Sequence, residues 1–348
     1  MSSGGDERRG VAGRNNVRST MEIRLEPHDE FTHDVPADAT FNESVYANVI
    51  DPNSEVGAFF RVGNRPNERY AEVTTCLYLP DGRVGFMYQR PEIGDNRAFD
   101  AGGLRIEVTE PFETVEVAWS GKVVVLDDPI QMADPKRAFT ENPWVPSSAS
   151  ISYRGTGAMF GGERMDHRER EGEEFAKAHF EQLVAGTGSI TVGDETWSID
   201  GFGLRDHSWG PRTWQGPWYY RWLTANFSDN FGFMASRVAR AEGPGTRGGF
   251  VWEDGQLTLC NQLDLSTDWT DDRYHRSITA TLGAPDGRTW SFTGEVRSLV
   301  PLRNRRDGAV TRISEGLTRW TMDDGRVGFG LSEYLDQIID GAPVGVDE

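Results

Sequence analysis

The chain has 348 residues, a length that suggests two domains, and its 37% hydrophobic and 26% charged residues are typical of a globular protein. Its formal net charge of −19 would repel phosphate backbones and anionic lipid headgroups, which disfavours nucleic acids and such membrane surfaces as partners. No run reaches the roughly 18 apolar residues that cross a bilayer, so we expect no membrane span.

The N-terminal segment has no apolar region of the kind found in secretory signals. Residues Met1–Gly10 are polar or small, so we predict a cytoplasmic protein in which residues 1–18 form a disordered tail. The two cysteines, Cys76 and Cys260, lie in separate apolar segments. In a reducing cytosol this placement predicts two buried free thiols rather than a disulfide.

Alternating apolar and polar residues, interrupted by Asp-Gly pairs, predict antiparallel hairpins. Asp-Gly supplies the positive φ that a tight hairpin turn needs. The pattern occurs in residues 77–86, 251–259, 277–296 and 320–327. A chain built from such units is an antiparallel meander, so we predict an all-β protein made of two packed sandwich or barrel domains.

The predicted domain boundary lies in Gly155–Glu174, which is rich in glycine and then in charge, as in an exposed linker. We therefore assign residues 19–174 to an N-terminal β-domain and residues 175–348 to a C-terminal one. Glu173–Leu183 has a weak helical pattern but also alternates. Because this segment runs into the clear strand at 189–192, a strand is favoured.

The densest group of chemically active residues lies in Gly203–Trp222. Six aromatic residues fall within Trp209–Trp222, and four charged or ionisable residues precede or interrupt them: Arg205, Asp206, His207 and Arg212. Asp206 and His207 are adjacent, so in a strand they face opposite sides unless a turn redirects one of them. The alternative is an ordinary aromatic core with Arg205, Asp206 and Arg212 as structural ion pairs.

After Pro217 the alternation returns and places Trp218, Tyr220 and Trp222 on one face of a strand. We expect this face to line a barrel interior, where aromatic residues and a few polar groups form a site for an apolar ligand. Asp206 or His207 is expected within side-chain reach of that cavity.

Three further polar segments could hold a carboxyl group whose pKa is raised by burial: His179–Glu181, Arg312–Glu315 and Ser332–Asp336. The alternative for each segment, a rim charge or a buried bridge, is favoured. His179, Glu181, Asp206 and His207 are the candidate metal ligands, but no zinc-type spacing supports them, so we predict no metal. The chain also lacks a glycine-rich nucleotide loop and a Gly-x-Ser-x-Gly motif, so we predict no cofactor and no serine hydrolase.

The block GLRDHSWGPR (Gly203–Arg212) resembles the hallmark of the lipocalin-like proteins related to carotenoid 1,2-hydratase (hydroxyneurosporene synthase). GFGLSEYLDQ (Gly328–Gln337) and HFEQ (His179–Gln182) are similar to segments of an uncharacterised bacterial branch. The resemblance covers roughly residues 40–348. It implies two lipocalin-like β-domains, members that include hydratases and cyclases acting on large apolar molecules, and acid–base residues near Asp206, His207, Trp209 and Arg212.

We therefore predict an enzyme that hydrates, dehydrates, isomerises or cyclises a hydrophobic molecule of terpenoid or steroid size, thus a hydro-lyase, isomerase or cyclase. Asp206, His207 or Glu333 would donate the proton. The predicted ligand-binding residues are His179, Arg205, Trp209, Arg212, Trp214, Trp218, Tyr220 and Trp222. Two alternatives stay open: a non-catalytic carrier of an apolar ligand, and a polypeptide-binding scaffold. A homodimer also stays open.

Overall fold

The computed structural model describes residues 23–164 and 177–346. The predicted tail at 1–18 and residues 165–174 of the predicted linker lie outside these residues. Strands account for 65% of the structure and helices for 6%, so the prediction of an all-β fold is confirmed. Within the described residues, no helix has both the length and the apolar character needed to span a bilayer.

Strands make up most of the described chain, and its helical segments are short. The strands are β1 (Ile23–Arg24), β2 (Phe41–Ile50), β3 (Gly57–Arg65), β4 (Tyr70–Tyr78), β5 (Val84–Gln89), β6 (Phe99–Ala101), β7 (Leu104–Glu110), β8 (Thr114–Leu126), β9 (Trp144–Gly155), β10 (Phe160–Arg164), β11 (Ala178–Val192), β12 (Glu195–Pro211), β13 (Tyr219–Ser228), β14 (Phe231–Ala239), β15 (Thr246–Glu253), β16 (Gln256–Cys260), β17 (Gln262–Trp269), β18 (His275–Gly283), β19 (Thr289–Arg306), β20 (Ala309–Met322), β21 (Val327–Ile339) and β22 (Ala342–Pro343). The helices are α1 (Pro135–Glu141) and the 3₁₀ turns Pro27–Glu30, Pro66–Glu68 and Pro129–Ala133.

The first sheet contains twelve antiparallel strands, β1 to β12, and most of them close into a barrel. Successive hydrogen-bonded neighbours run β11, β12, β2, β3, β4, β5 and β8, and β9 pairs with both β8 and β11, which completes the ring. The interior holds a large apolar core that includes Phe60, Val73 and Trp119. Closure removes the open edges that an antiparallel sheet otherwise exposes.

The second sheet contains ten strands, β13 to β22, with β13 and β21 near its middle. It curls around a separate core that includes Phe233, Phe292 and Trp320. A third cluster joins the outer faces of the two sheets, where Phe59 and Phe86 of the first sheet meet Leu317 and Leu331 of the second. The two sheets therefore pack back to back, each with its own interior.

The chain passes from the first sheet to the second between Pro211 and Tyr219, which differs from the predicted boundary in 155–174. The reason is that β11 and β12 pair with each other and with β9 and β2, so they complete the first barrel. The prediction that Glu173–Leu183 is a strand agrees with β11 from Ala178 onward. The glycine-rich and charged composition of 155–174 therefore does not coincide with the end of the first sheet.

All four predicted hairpins are present, between β4 and β5, β15 and β16, β18 and β19, and β20 and β21. At Asp254-Gly255 both residues have positive φ, 47° and 84°, as a tight two-residue turn requires. In the other three turns the aspartate accepts a hydrogen bond from the backbone N–H of an arginine two residues later. The predicted free thiols Cys76 and Cys260 are both buried.

A fully buried ion pair lies inside the second sheet. Arg221 and Asp336 form two hydrogen bonds, of 3.2 and 3.0 Å, across β13 and β21. The guanidinium carbon lies 4.3 Å from the ring centre of Tyr334. Asp336 also accepts the backbone N–H of Gly345, so the pair connects the sheet to the C-terminal segment.

Asp336→Asn should lower the free energy of unfolding by roughly 3–5 kcal/mol, because the fully buried Arg221 guanidinium loses the ionised acceptor of two of its hydrogen bonds. Asp268→Asn makes the same chemical change at the exposed Arg276–Asp268 pair and should leave the free energy of unfolding nearly unchanged, because water screens that pair. Urea denaturation of both variants measures the difference. Equal small losses would show that the buried pair does not stabilise the second sheet.

Candidate active site between the two sheets

A cavity of about 730 Å³ lies between the outer faces of the two sheets. It is lined by side chains from both sheets and by part of the connection between β12 and β13. The cavity therefore exists only where the sheets face each other. The size is within the range of about 300–1,000 Å³ that holds a small organic ligand.

Two rows of side chains face each other across this cavity. Residues paired on neighbouring strands lie side by side on one face of a sheet. In the first sheet this pairing forms the first row, Glu181, Asp206, Tyr46 and Arg61. In the second sheet it forms the second row, Trp222, Glu333 and Glu315. Residues distant in sequence thus meet because the strand register aligns them.

The two rows touch at Trp222. Its indole N–H donates a hydrogen bond of 2.8 Å to Oε1 of Glu181, and its ring packs edge-on against Tyr46, with ring centres 5.6 Å apart. His179, two residues before Glu181, bonds through Nε2 to Oδ2 of Asp206. The same nitrogen lies 3.4 Å from Oε1 of Glu181. One histidine therefore lies between an aspartate and a glutamate at the cavity wall.

Three glutamates at the cavity have raised pKa values because burial disfavours their charged form. The pKa is raised to about 7 for Glu181 and to about 8 for Glu315. Burial and the negative charge of Asp206 raise the pKa of Glu333 to about 8. Oε2 of Glu181 and Oε2 of Glu315 are buried and have no hydrogen-bond partner among the described residues. Near neutral pH the cavity therefore contains carboxylic acids that can donate a proton.

In the neighbouring His179–Asp206 pair, the pKa shifts favour the charged form of both side chains. Burial alone would lower the pKa of His179, but the charge of Asp206 outweighs it and raises the pKa to about 9. Burial alone would raise the pKa of Asp206, but His179 and Arg212 hold it below its ordinary value. The ionised Asp206 on the first-sheet wall and the glutamic acids Glu333 and Glu315 on the second-sheet wall thus face the same cavity, so acid and base roles are separated.

Several predicted site residues come together here. Asp206, Glu333, His179, Arg212, Trp214, Tyr220 and Trp222 all line the cavity. The face of Tyr220 and Trp222 points towards the first sheet, however, and not into the interior of its own sheet as predicted. The opposite face of β13, with Arg221 and Leu223, contributes to the interior of the second sheet.

Four other predicted site residues lie away from the cavity wall. Arg205, His207 and Trp209 alternate with Asp206 along β12 and therefore point to the other side of the strand. Arg205 forms a buried ion pair with Glu30 and bonds to Gln182. Trp209 stacks on His33, with ring centres 4.1 Å apart. Trp218 precedes the start of β13 and does not line the cavity.

His207 belongs to a second buried network. Its Nε2 lies 3.0 Å from Oε1 of Glu43, and Nδ1 of His33 lies 2.6 Å from the same oxygen. The ligand atoms of His33, Glu43 and His207 lie within 4.8 Å of one another, as do those of His179, Glu181 and Asp206. Imidazole and carboxylate groups suit zinc and similar divalent cations, so either group could hold one. The predicted four-residue ligand set is divided between the two networks.

Sequence reasoning assigned no role to Tyr46, Arg61 or Glu43, which lie on β2 and β3, far in sequence from Asp206. Nothing local distinguishes them from other strand residues. Glu181 and Glu315 were within candidate polar segments but were not assigned to the site. Only the strand register brings these residues to the positions that the structure describes.

Glu315→Gln should stabilise the protein relative to wild type at high pH and have little effect at low pH. The pKa of Glu315 is raised from 4.5 to about 8 on folding, so its stabilising contribution is complete below pH 4.5 and is lost as the pH rises towards 8. At pH 8 the difference in free energy of unfolding should be on the order of 2–4 kcal/mol. Denaturation at several pH values measures it. Glu107→Gln, at an exposed glutamate, is the matched control, and a pH-independent difference would contradict the raised pKa.

Comparison with solved structures identifies the architecture. Kievitone hydratase from Nectria haematococca has 10% identity and a TM-score of 0.54, covering 95% of this chain and 96% of its own. CghA in complex with Sch210972 has 11% identity and a TM-score of 0.56, covering 88% and 93%. A candidate AttH protein from Nitrosomonas europaea has 13% identity and a TM-score of 0.57, covering 90% and 97%.

At these identities the likeness shows the fold alone, and this fold agrees with the two packed β-domains that the sequence predicts. No curated protein matches the chain in sequence. The model of the family described as "Domain of unknown function (DUF7064)" matches residues 26–338. Because this match spans most of the 348 residues, the chain belongs to the DUF7064 family.

Proposed function

We propose that this protein is an enzyme that hydrates, dehydrates, isomerises or cyclises a hydrophobic small molecule of terpenoid or steroid size in the cavity between its two sheets. The observation that carries the proposal is that Glu181, Glu315 and Glu333, whose pKa values burial raises, line one cavity together with Asp206, whose pKa is lowered. A site with separated acids and bases can both give and accept a proton near neutral pH.

Glu333 is the proposed proton donor. It faces the cavity between Trp222 and Glu315 on the neighbouring strands, and its pKa of about 8 keeps it protonated in neutral solution. Glu181 offers a second acid, fixed by the indole N–H of Trp222. Tyr220 and Trp222 provide aromatic faces that can stabilise positive charge developing on an apolar substrate.

Asp206 is the proposed proton acceptor, with His179 holding its carboxylate. In a hydration, the Glu333 proton moves to one carbon of a C=C bond and the other carbon bonds to the oxygen of water. Asp206 takes the proton that this water loses, and exchange with solvent restores both groups. In an isomerisation, Asp206 instead removes a proton from a carbon of the substrate, so no water is consumed.

The structural relatives agree with this chemistry in general terms. One of them is named a hydratase, and another was solved with a bound small molecule, Sch210972. A cavity of about 730 Å³ accommodates a molecule of the proposed size. The carrier alternative uses the same cavity but gives no reason for three carboxylic acids to line it.

Glu333→Gln should lower kcat by about 10²–10⁴-fold, because an amide cannot donate a proton in place of the acid. The assay incubates the protein in D₂O with farnesol, geranylgeraniol and progesterone, and mass spectrometry detects added deuterated water or a single incorporated deuteron. Any apolar ligand that co-purifies with the protein, identified by native mass spectrometry, is added to these three test compounds. Glu107→Gln should leave the rate unchanged.

Ligand affinity and melting temperature should stay nearly constant in Glu333→Gln, since the amide has the same shape as the acid. Loss of turnover without loss of binding would support catalysis. A ligand that binds and is recovered without chemical change or deuterium would overturn the proposal and identify a carrier.

A further inference from the structure

A group of arginines lies on the first-sheet wall of the cavity, beyond the groups used in the proposed reaction. Arg61, Arg90 and Arg212 all line the cavity. Arg61 follows Tyr46 in the first row, so it lies two strands from Asp206, about 10 Å away at the usual strand spacing. The cavity thus has a cationic region adjacent to its acid–base region.

Positive charge exceeds negative charge in this region. The carboxylate of Glu72 is shared by three guanidinium groups, with distances of 3.3 Å to Arg61, 3.6 Å to Arg65 and 3.5 Å to Arg90. Arg65 has a second carboxylate partner, in Glu68 at 2.7 Å. Among the described residues, Arg61, Arg65 and Arg90 therefore share two carboxylates, those of Glu72 and Glu68, while Arg212 lies near the carboxylate of Asp206. This excess is local, because the whole chain carries a net charge of −19.

Arg61 has unused hydrogen-bonding capacity. Its Nη2 is buried and has no hydrogen-bond partner among the residues that the structure describes. The side chain lies back over Gly63 on the same strand, where an added Cβ would come within 2.7 Å of Nη2. A buried guanidinium N–H without an acceptor is costly, so a turn of the Arg61 side chain from Gly63 towards an anionic ligand group in the cavity would be favourable.

Trp214 connects Arg61 with Arg212. The guanidinium carbons lie 5.4 and 5.8 Å from its ring centre, so both cations border one aromatic surface. Arg212 also donates a hydrogen bond of 2.9 Å to Oγ of Ser208, which fixes its direction. Two guanidinium groups and an indole therefore frame one corner of the cavity, with apolar surface from Tyr220 nearby.

We infer that Arg61 and Arg212 bind the carboxylate of an amphipathic ligand whose apolar body extends along the aromatic wall towards Trp222. A guanidinium presents paired N–H donors that match a carboxylate, and such charge-assisted hydrogen bonds are stronger than neutral ones. The neutral acids in the second row would not repel this ligand. The inference names the substrate class of the proposed function, and the binding part of it stands even if no reaction occurs.

Anchoring one end of the ligand would also select the reacting atoms. With the carboxylate held at Arg61, the position along the apolar chain that reaches Glu333 and Asp206 is fixed by distance. Placement of this kind contributes to catalysis by restricting the substrate to a reactive geometry. Arg61 and Arg212 are thus binding and positioning residues in this inference, and no proton passes through them.

The test measures binding of dodecanoate, dodecan-1-ol and dodecylamine to the full chain by titration calorimetry at pH 7.5. Dodecanoate should bind at least tenfold more tightly than dodecan-1-ol, and dodecylamine should bind most weakly. Arg61→Gln and Arg212→Gln should each lower the affinity for dodecanoate by tenfold or more. The affinity for dodecan-1-ol should change by less than threefold. Retained dodecan-1-ol binding shows that the cavity of a variant is intact.

Two further variants separate position from charge. Gly63→Ala keeps every arginine but displaces the Arg61 guanidinium. It should therefore lower the affinity for dodecanoate more than the affinity for dodecan-1-ol. Arg297→Gln removes the same charge at an exposed site and should change the affinity for neither ligand. Equal affinity of wild type for dodecanoate and dodecan-1-ol, equal losses for both ligands in the arginine variants, or no binding of either ligand would overturn the inference. Selective dodecanoate binding without turnover of any compound would refute only the proposed function.

Discussion

Burial of carboxyl groups between two β-sheets is the constraint on which this site depends. Glu181 and Glu315 lose contact with water on folding, and burial therefore raises their pKa values to about 7 and 8. Had each sheet packed against solvent, the same residues would be ordinary ionised surface groups. The energetic cost of burying them limits stability at high pH, which is the pattern expected where function rather than stability determines a residue.

The architecture explains how this burial arises. Each sheet curls around its own apolar core, so each has a second, outer face that must be covered. The outer faces cover each other through a mixed apolar cluster, and the cavity remains where they do not touch. The strand register then determines which side chains line the cavity. Glu181 pairs with Asp206 and Trp222 pairs with Glu333, so acid, base and aromatic groups lie in two facing rows.

The hairpins were predictable because their signals are local: an Asp-Gly pair between alternating residues describes both turn and strands, as at Asp254-Gly255. Asp206 and His207 were also correctly expected on opposite faces, since strand geometry alone requires it. The change of sheet after Pro211 was not predictable, because it depends on which distant strands pair with β11 and β12. For the same reason Arg61 and Tyr46 could not be recognised from the sequence: their position in one row with Asp206 is a property of strand register, not of any motif.

Titration of the glutamate side chains tests the central claim most directly. Carbon-13 labelling of glutamate followed by NMR from pH 4 to pH 9 reports the protonation of each carboxyl group, and Glu→Gln variants assign the resonances of Glu181, Glu315 and Glu333. We predict three resonances with midpoints near pH 7 to 8, separate from the resonances of the other glutamates. Titration of all three groups at the ordinary value would contradict the presence of neutral acids in the cavity and remove the basis for proton donation.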